Sequence, residues 1–250
     1  MTRLTLFFKS IRNNLVAFFL FLGLWGLFSL FFDAYIVPSP LAVIQNFHGL
    51  CDGVFVENFR ISLGRILTGF CLSFALGTPI GFFSCTLNIS TTVETLLVLF
   101  QVIPGLILGV IFLLIFGVGT AAPVCLIVTL TTPFIAINTA NTLMTKNPVL
   151  EEVIRLFHGG FKPLLLDLYI PTLVPALKTN TTLGLVMSLK IVLLGEFIAS
   201  DNGIGYLLNV AKIYFNMEAV FFYLFVVLLL MVGFQVIVSS LFVIFFQKYL

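Results

Sequence analysis

The residues equipped for chemistry are few and concentrated. Glu151, Glu152, Arg155 and His158 fall within eight positions, Lys190 and Glu196 stand six apart in an otherwise apolar run, and the second histidine is His48. Two isolated histidines and scattered carboxylates do not assemble a nucleophile, a base and an orienting group, so the sequence points away from an enzyme. His48 and His158 read as polar-face residues. The four cysteines, Cys51, Cys71, Cys85 and Cys125, lie far apart and mostly among apolar neighbours, which gives neither a metal site nor a disulfide framework. No Gly-x-x-x-x-Gly-Lys-Ser/Thr phosphate loop occurs, so ATP hydrolysis is not expected in this chain. What remains is recognition chemistry: charge pairing and the burial of apolar side chains.

The first cluster needs a helix to present it. Asn147 can cap one, Pro148 suits its first turn, Glu151 and Glu152 complement its positive end, and Gly159-Gly160 with Pro163 can stop it. That pattern predicts a helix of about three turns. At ~100° per residue, Val153, Ile154, Leu156 and Phe157 share one arc while Glu151, Glu152, Arg155 and His158 share the other. Such a helix requires an apolar partner on one side and a polar one on the other. A lipid interface and a groove on a second protein both satisfy that.

The setting is a membrane. With 60% hydrophobic and 9% charged residues, the chain is far from the soluble average, where about a quarter of residues carry charge. A net charge of +2 with no long basic run excludes nucleic acid as a partner. The apolar run 15–32 follows Arg3, Lys9 and Arg12, is long enough to cross, and lacks a small-residue cleavage site, so it is expected to be a retained first span. Further spans are expected over 61–83, 94–116, 122–139, 180–199 and 219–246. Short helices are expected after Pro38-Ser39-Pro40 and over 206–213, and turns at 117–123 and 201–205. Gly69, Gly77 and Gly81 should allow close helix packing in the second span, and Pro104-Gly105 should kink the third. Six spans put both termini on one side. Lys146, Arg155, Lys162, Lys178 and Lys248 join the N-terminal cations there, against Arg60, Arg65 and Lys212 opposite, which makes that side cytoplasmic.

Residues 147–175 resemble the EAA loop of bacterial ATP-binding-cassette importer permeases. That motif reads Glu-Ala-Ala, three residues, Gly, nine residues, Ile-x-Leu-Pro. Glu152 takes the Glu place, Leu168 the Ile place, Ile170 the Leu place and Pro171 the proline; Val153 and Ile154 replace the alanines, and His158 precedes Gly159 where the motif has glycine. The likeness extends to Pro38-Ser39-Pro40, Ser62-Leu63-Gly64-Arg65, Ile103-Pro104, Phe116-Gly117-Val118-Gly119, Gly195-Glu196 and Gly203-Ile204-Gly205-Tyr206. These are similar, in the same order, to the nitrate, sulfonate and taurine subgroup, which includes permeases for thiamine-precursor pyrimidines. Val110 stands where that subgroup carries a second proline.

The resemblance implies an all-α membrane protein of the type I, MetI-like fold in the bacterial cytoplasmic membrane. It would be one permease domain over 1–250, with 147–175 as a cytoplasmic coupling loop. It implies a second permease copy, a separate ATPase pair that holds ATP and Mg, an external solute-binding protein, and no cofactor in this chain. Glu152, Val153, Arg155, Leu156, Phe157, Gly159 and Pro171 would be the ATPase-coupling residues. Lys190 and Glu196 lie ~120° apart around a helix and ~9 Å along it, so they do not pair with each other and need different partners. With Pro104 they are the candidates for the translocation path, and the cargo would be a small polar or anionic solute. The competing classes are an ion-coupled secondary transporter, which should show repeated halves, and a structural membrane subunit; no clear internal repeat is visible.

Overall fold

The structure, a computed structural model, describes residues 3–158 and 160–245, and every regular element among them is helical. Helix α1 covers Arg3–Ser29. Two short helices follow, α2 (Pro40–Gln45) and α3 (Phe47–Leu50), then the long α4 (Gly53–Thr86). A broken pair, α5 (Ser90–Val102) and α6 (Gly105–Phe116), leads to α7 (Ala121–Met144) and α8 (Pro148–His158). One turn, α9 (Phe161–Pro163), runs through a π-helical segment, Leu164–Tyr169, into α10 (Ile170–Ala199). Helices α11 (Ile204–Ile213) and α12 (Met217–Phe245) close the described chain.

Glycines set how closely the central helices approach. A Cβ on Gly69 would lie 2.7 Å from Ile127, one on Gly77 2.9 Å from Ile135, and one on Gly81 2.7 Å from Thr139, so α4 rests directly on α7 with both running the same way. Helix α10 runs opposite to them: Gly195 meets Pro123 near one end, and Asn180 meets Asn138 and Thr139 toward the other. Between these contacts lies a core of Ile66, Phe70, Ile127, Ile135, Leu189 and Val192, joined by Phe234 and Val238 of α12. Asn138 donates to Asn180 at 2.7 Å and Asn180 to Thr139 at 2.9 Å, a polar pin between α7 and α10.

The expected apolar helices are recovered with three physical differences. The kink expected at Pro104-Gly105 is a full break that turns α5 from α6 by 82°. Ile103, which precedes the proline, is held extended at ψ 123°, and Gly105 restarts the chain in a new direction. Helix α10 begins at Ile170 rather than near 180: Pro171 sits in its first turn, where a missing N–H costs nothing, and Ile170 donates back to Leu165 across the widened π turn. Pro123 belongs to the first turns of α7 rather than to the turn before it.

Among the described residues, four helices are long and apolar enough to cross a membrane, five if the broken pair is one span. The first expected span falls on α1, whose apolar stretch Val16–Ser29 is shorter than these helices and does not count among them. Trp25 anchors it, donating from Nε1 to the Pro38 carbonyl at 3.0 Å, while Ser39 accepts from Ala42 N at 3.2 Å and Pro40 opens α2.

Candidate functional site

Helix α8 stands at one end of the bundle, and its two sides have different fates. Asn147 accepts from Val149 N at 3.0 Å and from Leu150 N at 3.3 Å, so the cap forms as the sequence expects. Ile154 alone among its apolar residues is buried, 8% exposed, in a cluster with Cys85, Leu143, Leu164, Leu168, Tyr169 and Leu173. The second half of the loop is therefore the socket for the first: Leu168, at the motif's isoleucine place, packs with Ile154, and the π segment before Pro171 presents Leu168 and Tyr169 to it.

Glu151 fixes the same helix electrostatically. It pairs with Lys146 at 3.0 Å and with Arg155, one turn on, at 2.8 Å, while Lys146 lies over the Tyr169 ring at 5.0 Å. Partial burial pushes the Glu151 carboxyl up, but the hydrogen bonds from Arg155 and Lys146 outweigh it and hold the carboxyl below its ordinary range. Glu152, the residue at the motif's acidic place, is exposed and makes no hydrogen bond or ion pair among the described residues. The two adjacent acids thus have different partners available: Glu151 is used within the chain and Glu152 is free.

The outward side of α8 is apolar. Val149, Val153, Leu156 and Phe157 are all exposed, the last two at 76% and 80%, and at 100° per residue the four occupy an arc of about 100° with Glu152 at its edge. Gly159 and the side chain of His158 lie outside the described residues. Pro171 is half-buried and acts through the backbone, as the proline that follows the π turn.

The opposite end of the bundle holds a second polar constellation. Glu196 is fully buried and pairs with Arg65, itself 2% exposed, at 2.9 Å. Ser62 Oγ lies 2.8 Å from both carboxylate oxygens, and Gly205 N donates to Oε2 at 2.9 Å. Arg65 donates onward to the Asn202 carbonyl at 2.9 Å, to Asn202 Oδ1, and to Thr120 Oγ1 at 3.0 Å. Ile204 N donates to Ser62 Oγ at 2.8 Å and Gly203 N to Asn58 Oδ1. The Gly203-Ile204-Gly205 motif is explained by this crowding: Gly203 has φ +103° against the Glu196 carboxylate, and a Cβ on Gly205 would lie 2.7 Å from that of Glu196.

Arg65 is therefore corrected from a topology-setting surface cation to the buried partner of Glu196. Sequence reasoning missed it, along with Ser62, Asn58, Thr120 and Asn202. The available signal was that a carboxylate inside a span requires a cation. Glu196 itself is fully buried within this network.

Lys190 is different. It is exposed on α10 and has no hydrogen bond or ion pair among the described residues. A Cβ on Gly105 would lie 3.2 Å from a Leu194 methyl, so the α5–α6 break with exposed Pro104 sits one turn of α10 beyond Lys190. The structure thus places Lys190 and Pro104 about one turn of α10 apart and separates both from α8.

Long apolar helices around a shared core, with an amphipathic helix projecting from one end, define a multi-pass membrane protein. A model of the family described as binding-protein-dependent transport system inner membrane component matches residues 73–250, and the chain belongs to that family of ATP-binding-cassette permeases. It is 27% identical over 205 residues to the formylaminopyrimidine transport permease protein ThiX of Halalkalibacterium halodurans, covering 81% of this chain and 82% of the relative. It is 26% identical to the putative aliphatic sulfonates transport permease protein SsuC of Bacillus subtilis, covering 76% and 69%. The riboflavin transport system permease protein RibX of Chloroflexus aurantiacus is 25% identical, over 76% and 72%.

Proposed function

We propose that this chain is the permease subunit of an ATP-driven importer, a single domain over residues 1–250 with six spans and both termini in the cytoplasm. It pairs with a second copy, receives a small polar or anionic solute from an external binding protein, and passes it inward by alternating access. ATP and Mg belong to a separate ATPase pair, and residues 147–175 form the coupling loop that seats in it.

The observation that carries this reading is the exposed apolar ridge of α8. Leu156 and Phe157 project from a helix whose own packing is already satisfied through Ile154, and Glu152 stands unpaired at the ridge's edge. An apolar ridge bordered by one free acid fits a groove with an apolar floor and a basic rim. Val153 extends the ridge; Arg155, bonded to Glu151, braces the helix that carries it; Pro171 follows the π segment that holds Ile154 in place, and Gly159 is assigned to the loop by its motif place. Glu152→Arg is expected to weaken recovery of the ATPase with the tagged chain in a mild-detergent pull-down while leaving its thermal unfolding unchanged. Full ATPase recovery with that variant would overturn the loop assignment.

Lys190 and Pro104 are assigned to the translocation path on two independent physical grounds. A lipid-facing cation deep in a span costs ~2.5–3.5 kcal/mol by insertion scales, and broken backbone at membrane depth is tolerated only within protein or beside water. The two features lie within about one turn of α10 of each other. In a background with the four native cysteines replaced by alanine, Lys190→Cys is expected to react with a charged, membrane-impermeant thiol reagent. If the Lys190→Cys variant stays unmodified in every nucleotide state of the complex, the side chain lies against lipid or protein and leaves the path.

A further inference from the structure

A groove of about 690 Å³ opens between α4 and α12. Its walls include Phe59 and Leu63 of α4 and Leu230, Gly233 and Ile237 of α12, and among the described residues its one charged lining residue is Arg60. The two helices run the same way: Phe55 meets Phe222 with ring centroids 5.0 Å apart near their beginnings, and Ile66 and Phe70 share a cluster with Phe234 and Val238 farther along. That register puts Arg60 level with about residue 227 of α12. Ile237 is then roughly ten residues, or ~15 Å, deeper.

Arg60 is exposed and makes no hydrogen bond or ion pair among the described residues; Glu57, nearly one turn before it, is exposed and not bonded to it. A guanidinium so placed can extend along its aliphatic stem toward the headgroup region of the leaflet opposite the α8 end. The groove beneath it is apolar and lies along two membrane-spanning helices, so its occupant must be apolar over most of its length and anionic at one end. A second copy of this chain is a poor occupant, because a two-fold contact at this groove would bring two Arg60 side chains into one apolar seam.

We propose that the groove between α4 and α12 is a binding site for an anionic phospholipid, with an acyl chain along Leu63, Leu230 and Gly233 and the headgroup on Arg60. The inference is independent of the transport reading and needs only the membrane placement. The recognition is that of a basic group at a helix seam for an acidic headgroup, with the apolar wall fixing where the chain lies. Gly233 supplies the control. A Cβ there meets nothing within 4 Å, so a large side chain enters the groove without displacing the fold.

The test is native mass spectrometry of the chain, with its co-purifying partners, released from nanodiscs of palmitoyl-oleoyl phosphatidylcholine doped with phosphatidylglycerol. The wild type should retain phosphatidylglycerol. Arg60→Gln should lower that retention about fivefold and Arg60→Lys should preserve most of it. Gly233→Phe should abolish retention with Arg60 still present. Equal retention in all four proteins would overturn the site. Separation of the complex into single permease chains on Gly233→Phe would overturn it as well, since the groove would then be a protein seam.

Discussion

Alanine at both Leu156 and Phe157 is expected to lower the affinity of the ATPase for this chain by at least roughly a hundredfold, with no change in the chain's own stability. Each side chain is more than three-quarters exposed here, so truncation removes almost nothing from the intramolecular core. Full burial of one such residue in a partner is worth ~1.5–3 kcal/mol, and every ~1.4 kcal/mol is tenfold in affinity. Large apolar anchors entering a pocket dominate interfaces of this kind, whereas a charge at the rim contributes less and acts more on the association rate. The double alanine variant should therefore be far more damaging than Glu152→Arg. Titrating the detergent-solubilised chain with purified ATPase measures the ratio, and circular dichroism with a thermal melt checks the fold. Undiminished affinity with both alanines in place would mean that the ridge faces something other than the ATPase.

The contrast between Ile154 and its neighbours shows where sequence reading stops. The helix itself is legible, because Asn147 with Pro148 and the glycines about three turns later are local signals that mark its two ends. The direction of its apolar arc is not. Val153, Ile154, Leu156 and Phe157 span one apolar arc of about 160° on a helical wheel with Ile154 at its end, and the socket built by Leu164, Leu168 and Tyr169 decides that this end turns inward. Likewise, two adjacent glutamates look interchangeable until Lys146 and Arg155 close on Glu151 and leave Glu152 free. The motif likeness falls on Glu152, the unoccupied acid, although the local chemistry alone favours neither.

The spans were legible for the same reason that their mutual packing was partly so: runs of apolar residues and spaced glycines are one-dimensional patterns. The glycines of α4 meet α7 as their spacing expects. Pro104 reads as a kink in the sequence because a proline inside a helix usually bends it. The break arises because an extended Ile103 on one side and a side-chain-free Gly105 on the other give the chain nothing to resume in the old direction. Arg65 and Glu196 are 131 positions apart, and no periodicity connects them. Each could be recognised as a charge in want of a partner, but the pairing is a property of the three-dimensional bundle.

That pair sets the second large expectation. Arg65→Met should destabilise the solubilised chain by ~3–5 kcal/mol, the cost of leaving one member of a buried pair uncompensated. Glu196 would keep its bonds from Ser62 and Gly205, but no cation would remain to balance its charge. Removing both charges, as Arg65→Met with Glu196→Met, should cost less than the two single changes added together, because neither variant residue then faces an orphaned ion. Arg65→Lys separates charge from geometry. An ammonium can neutralise Glu196, yet it lacks the planar fork that reaches Glu196, Asn202 and Thr120 together, so its stability should fall between the wild type and Arg65→Met. Thermal unfolding of the four variants in one detergent measures the series. If Arg65→Met melts with the wild type, the network is dispensable. If the order holds, the network ties α4, the start of α7, the end of α10 and the start of α11 at the end of the bundle opposite α8.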